Sequence, residues 1–111
     1  MKLTVASSLI THSQGSIAAA YPVLEAHEIS GIVVVIYDYM VFPKDAPARN
    51  LFGYSVTTGE QLWRVADVAL GGTGAYTQLI SEEPLVVGNF SGFDCRVDVR
   101  TGSVISKIFR K

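Results

Sequence analysis

Gly71-Gly72-Thr73-Gly74 has the outline of a phosphate cradle. A phosphate-binding loop needs a Lys-Ser/Thr pair next and a helix whose N-terminus faces the phosphates. The residues that follow, Ala75-Tyr76-Thr77-Gln78-Leu79, offer no such lysine and have the composition of a strand, so the glycines read as a linker between structured units. His12 and His27 would be metal ligands if folding brought them together, and Glu25 and Glu28 flank the second. Their spacing matches no zinc pattern, and both read as surface histidines. Asp38, Asp94 and Asp98 would supply acid and base carboxylates only around a shared pocket. Asp94 and Asp98 lie on the polar side of an alternating segment, which makes them solvated strand or turn residues. Cys95 is the single cysteine. It excludes an intrachain disulfide, fits a reducing, cytoplasmic compartment, and sits where a core thiol belongs. The expectation from these groups is no catalytic residue, no metal ligand and no cofactor.

The elements that would position them are strands. Phe93-Asp94-Cys95-Arg96-Val97-Asp98-Val99-Arg100 alternates apolar and polar residues throughout, which predicts a strand with one wet face. Ile32-Val33-Val34-Val35-Ile36-Tyr37 is apolar and β-branched without a break, which predicts a strand covered on both faces. Further strands are expected over Leu3–Ile10, Leu51–Val56, Gln61–Val65, Tyr76–Ser81, Leu85–Asn89 and Val104–Phe109. Together they make an all-β chain of about eight antiparallel strands. Ala18–Ile29 contains Pro22 and no sustained helical spacing, which favours an extended segment over a helix.

Composition narrows the classes. Hydrophobic residues are 49% of the chain and charged residues 17%, which argues for a compact core or a covered apolar surface. Nine basic against ten acidic residues leave a net charge of -1, without the basic footprint of a nucleic-acid binder. Met1-Lys2, the apolar Leu3–Ile10 and Ala18-Ala19-Ala20 resemble a secretory signal in outline. Thr4, Ser7 and Ser8 dilute that apolar stretch, and Thr11-His12-Ser13-Gln14-Gly15 breaks it, so it reads as an N-terminal strand. The longest apolar run, Ile32–Tyr37, is far short of the roughly 20 residues of a membrane helix. Neither a nucleic-acid nor a membrane partner is expected.

A repeat organises the chain. The segment from Phe52 to Val65 lies over the segment from Cys95 to Ile108 without a gap and aligns Thr58-Gly59 with Thr101-Gly102. The offset is about 43 residues, within the range of propeller-blade repeats. In each copy the glycine can take the left-handed conformation that closes a hairpin, and the threonine hydroxyl can bond locally. Thr58, Gly59, Thr101 and Gly102 are therefore structural turn residues. The pattern resembles the blades of quinoprotein-like (PQQ-type) β-propellers, whose repeat ends in Asp, two residues, Thr-Gly, three residues and Trp. The first copy keeps Thr58-Gly59 and Trp63 with Ser55 at the Asp position; the second keeps Asp98 and Thr101-Gly102 with Ser106 at the Trp position. The resemblance implies one β domain over 1–111, with unit one at about 17–68, unit two at about 75–111 and an N-terminal strand at 3–10. These would pack as a small sandwich or an incomplete propeller, since two blades cannot close a ring. Without the ring, the quinone cofactor of the large family members is not expected.

Two features remain for function. Trp63 is the single tryptophan and, in such a unit, would pack between neighbouring sheets. The loop from Met40 to Asn50 carries Met40, Phe42, Lys44, Asp45 and Arg49 with two prolines, in a chain whose other turns are short. Loops on a rigid sheet often carry recognition, and these five residues are the candidate partner-binding set. Asn50-Leu51-Phe52, Gly59 to Trp63, Gly92 to Val97 and the basic tail Lys107 to Lys111 are similar to features of small bacterial immunity-like proteins. That resemblance implies a non-catalytic domain that occludes a toxin. The alternatives are a self-assembling structural module, and an enzyme or small-ligand protein using Asp38, Asp94 or a histidine.

Overall fold

The structure, a computed structural model, describes residues 1–66 and 74–109. The described strands are β1 (Thr4–Ala6), β2 (Leu9–His12), β3 (Gly15–Ala18), β4 (Val23–Ile29), β5 (Ile32–Tyr37), β6 (Leu51–Ser55), β7 (Gln61–Arg64), β8 (Tyr76–Ser81), β9 (Val86–Asn89), β10 (Phe93–Val97) and β11 (Val104–Phe109). They form three antiparallel sheets in the orders β1-β2-β3, β4-β5-β6-β7 and β11-β10-β9-β8. The chain is thus all-β, but with eleven described strands in three sheets rather than about eight in two units. The expected repeat corresponds to the two four-stranded meanders. Of the glycine linker, Gly71, Gly72 and Thr73 lie outside the described residues, as do Arg110 and Lys111 of the basic tail.

The expected single strand over Leu3–Ile10 is instead two strands joined by a tight hairpin. Ser7 and Ser8 both take positive φ, 51° and 64°, between the paired Ala6 and Leu9. Two consecutive left-handed residues are what a two-residue hairpin requires. The same geometry recurs at Ser30-Gly31, φ 50° and 80°, between the paired Ile29 and Ile32. The Ala18–Ile29 segment is extended, with β4 starting just after Pro22.

The central sheet, β4 to β7, is covered on both sides. Val34 and Ile36 join Leu51, Trp63 and Val65 against Tyr76, Leu85, Val87, Cys95 and Val97 of the C-terminal sheet. Val33, Val35 and Tyr37 face the other way, with Phe52, Tyr54 and Val56, against Leu3, Ile10 and Ile17 of the N-terminal segment. Every residue of β5 is consequently buried, the arrangement its unbroken apolar run predicts. Each Val or Ile so buried contributes about 1.5–3 kcal/mol relative to exposure. On β10, Cys95 and Val97 are buried while Arg96 is exposed, as alternation requires. Among the described residues no helix is long and apolar enough to cross a membrane.

Candidate functional site

The two Thr-Gly turns share two hydrogen bonds. Gly59 N donates to Ser55 O and Gly102 N to Asp98 O, each at 2.8 Å. Thr58 Oγ1 accepts from Glu60 N and Thr101 Oγ1 from Ser103 N, each at 3.2 Å. Both glycines have φ 76°. Asp98 Oδ1 accepts from Arg100 N at 2.9 Å, and Ser55 Oγ takes the corresponding place by accepting from Thr57 N and Thr58 N at 3.2 Å. Ser55 therefore keeps the cap that the aspartate provides in the second copy.

Trp63 packs in the core between the central and C-terminal sheets. Its Nε1 donates to Val99 O at 2.7 Å. The indole lies between two glycines, because a Cβ on Gly53 would come within 2.3 Å of Cε2 and one on Gly102 within 2.5 Å of Cε3.

The loop after β5 begins with a 3-10 turn, Tyr39–Val41, capped by Asp38 Oδ1 accepting from Met40 N at 2.9 Å. It forms one wall of a groove of about 550 Å³. Tyr39, Met40, Phe42, Pro43 and Lys44 line that wall, Ala48 and Ala75 are buried lining residues, and Phe90 comes from the β9–β10 turn of the neighbouring sheet. Met40 is 61% and Phe90 62% exposed, so the groove presents apolar surface to solvent. Rings Tyr39 and Phe90 approach to 5.9 Å between centroids. Tyr21 supports the wall from behind, with its ring 4.9 Å from that of Phe42. Lys44 is the charged member of the described lining.

Of the five loop residues predicted from sequence, Met40, Phe42 and Lys44 meet in the groove, whereas Asp45 and Arg49 are not among its lining residues. Arg49 sits at φ 46° and its Nε donates to Val65 O at 2.9 Å, tying the loop to the end of β7. Arg64 reinforces the same tie, donating to Arg49 O and Ala48 O at 2.9 and 2.7 Å. Sequence reasoning missed Phe90 and Asn50. Phe90 carried a signal, an aromatic inside the turn Asn89-Phe90-Ser91-Gly92. Asn50 is fully buried and joins three strands: its Nδ2 donates to Tyr37 O and Tyr76 O at 2.7 and 2.8 Å, and its Oδ1 accepts from Tyr76 N at 2.8 Å. The linear chain marks it only as the first residue of Asn50-Leu51-Phe52, without this role.

The candidate chemical groups are used elsewhere. His27 is 7% exposed rather than a surface residue. Its Nδ1 lies 2.8 Å from Glu82 Oε2 and its Nε2 3.0 Å from Glu25 Oε1. A carboxylate accepts and never donates, so both contacts are hydrogen bonds only when both ring nitrogens carry hydrogen. The Glu82 contact fastens β4 to the connection after β8, while Glu25 lies on β4 itself. Glu82 is held below the usual carboxylate range by the N-terminal ammonium and by His27, and Glu28 by the Ser13 hydroxyl and backbone N–H. Burial pushes the Cys95 thiol up. Among the described residues no group of three His, Cys, Asp or Glu is placed to hold a metal.

The architecture has a counterpart among solved structures. The crystal structure of a computationally designed protein, Ika8, superimposes with a TM-score of 0.52 at 16% identity, covering 98% of this chain. The chain spans 36% of the designed protein's length, so the likeness concerns the fold alone. No curated protein matches the chain. The family model of a domain of unknown function, DUF7957, matches residues 2–109, and the chain belongs to that family.

Proposed function

We propose that this protein is a non-catalytic binding domain that takes an apolar segment of a partner protein into the groove between the β5–β6 loop and the β9–β10 turn. The observation that carries the reading is one concavity lined by the exposed Met40 and Phe90 and the half-buried Tyr39 and Phe42, supplied by two different sheets. Exposed apolar surface of this kind costs solubility, and a concave apolar site rimmed by a charge is the usual form of a recognition site. Lys44 at the rim would select for a nearby carboxylate on the partner. The narrower form of the proposal is an immunity-like protein that occludes a toxin in the bacterial cytoplasm, where the single buried thiol of Cys95 stays reduced. The two four-stranded meanders then serve as degenerate propeller-blade-like units that hold the two walls rigidly.

The test is capture from a lysate with the wild-type chain and with Met40→Ser/Phe90→Ser. A partner retained by the wild type and lost by the variant is the expected result. A partner held equally by both, or by neither, contradicts the proposal. A second reading, self-association, is favoured by β11. This edge strand exposes Ile105, Ile108 and Phe109, and an unpaired apolar edge invites pairing. A monomeric mass in solution at micromolar concentration sinks it.

A further inference from the structure

Among the described residues the N-terminal sheet has three strands where each of the other two sheets has four. Its outer strand, β3, pairs only with β2 among the described strands. Ala19 N donates to Ser8 O at 2.7 Å, which fixes the alternation along β3. The backbone N–H and C=O of Ser16 and Ala18 therefore point away from β2, toward the position a fourth strand would occupy.

The missing strand has a counterpart one layer on. In the central sheet the fourth strand is β7, paired to β6 through Phe52 with Arg64 and Gly53 with Trp63. From there Trp63 reaches the turn of the next sheet, covering Gly102 and donating to Val99 O. The N-terminal sheet stands to the central sheet as the central sheet stands to the C-terminal one. Phe52, Tyr54 and Val56 face the N-terminal sheet as Cys95, Val97 and Val99 face the central sheet, at matching places in the repeat. The turn that a tryptophan on a fourth N-terminal strand would reach is Thr58-Gly59. That turn shares the glycine N–H bond, the threonine Oγ1 bond and the φ of its partner at Thr101-Gly102, but Gly59 is exposed and no described residue lies within 4 Å of a Cβ built on it. Gly102 is buried beneath an indole.

We propose that the N-terminal sheet takes a fourth strand from a partner protein, added along β3, with a tryptophan of that strand seated on the Thr58-Gly59 turn and donating to Val56 O. Strand addition supplies main-chain hydrogen bonds at Ser16 and Ala18, and the indole supplies specificity. A second copy of this chain is not the donor, because its single tryptophan, Trp63, is already engaged in its own central sheet. This site uses none of the groove residues, so either can fail alone.

The probe is a capped synthetic peptide with the sequence of residues 60–65, the segment that does this work in the central sheet, titrated into the isotope-labelled intact protein. The expected result is saturable amide shifts at Ser16, Ala18 and Gly59, weakened about tenfold or more when alanine replaces the tryptophan in the peptide. In Ala18→Pro, which removes one outward N–H, the shift at Gly59 should fall with it. The proposal is overturned by an absence of shifts at these three amides at millimolar peptide, by equal shifts from the alanine peptide, or by shifts centred on Gly102 through exchange with the chain's own β7.

Discussion

The indole of Trp63 lies against Gly102, so one side chain of the central sheet closes the turn of the next sheet. Gly59 holds the same backbone conformation in an open turn, which makes the pair an internal control. Gly59→Ala should cost about 1 kcal/mol, the strain of a left-handed residue alone. Gly102→Ala adds a clash with the ring and should cost about 3 kcal/mol. Trp63→Ala should cost about 4 kcal/mol, and in that background Gly102→Ala should fall to the Gly59→Ala value. Urea unfolding of the four variants checks the cycle; a Gly102 penalty that survives loss of Trp63 contradicts the assigned contact.

Asn50 pairs with the backbone of Tyr76 through both ends of its amide and so ties the start of β6 to the start of β8. Asn50→Ala leaves buried backbone groups of Tyr37 and Tyr76 without their partner. A loss of about 3 kcal/mol is expected in denaturant unfolding. A loss under 1 kcal/mol would show that water or a shifted strand replaces the amide.

The folded-state values of Glu82 and Glu28 lie below their unfolded values. Their stabilisation is therefore complete above the ordinary carboxylate range and is lost as pH falls through the lowered folded values. Both groups face solvent, so the effect is modest and shrinks with salt. Urea midpoints followed from about pH 6 to about pH 3 should fall less steeply in Glu82→Gln/Glu28→Gln than in the wild type. Identical acid limbs would remove these two carboxylates from the acid response.

Cys95 is fully buried, and burial raises its thiol, so the native protein should react with a disulfide reagent only through opening of the C-terminal sheet. The reaction rate should rise steeply with urea, in step with unfolding. Rapid native modification would place the thiol on the surface.

These positions show what the linear chain reveals. The unbroken apolar run of β5 and the clean alternation of β10 carry their burial in their periodicity, and the Thr-Gly pairs carry their turn in residue type. The N-terminal sheet was hidden because its first hairpin turns on Ser7-Ser8 rather than on the Asn-Gly or Gly-Gly that usually marks positive φ. His27 read as a surface residue because the carboxylate that its Nδ1 meets, Glu82, is remote in sequence. Half of the groove was legible as a proline-bearing loop. Its other wall, Phe90, comes from a different sheet, and only the packing of the two sheets brings it there. Arg49, read from sequence as a partner-binding cation, braces the loop through its Nε, a contact that residue type alone does not reveal.

The groove is tested most directly by a photo-crosslinking amino acid at Phe90, with the same group at the exposed Ser103, which does not line the groove, as a control, in cells that carry the native protein's partners. A discrete protein adduct from Phe90 and none from Ser103 is the predicted result, and it should disappear when Met40→Ser is added. No adduct from Phe90, or the same adducts from both positions, would contradict a binding role for the groove.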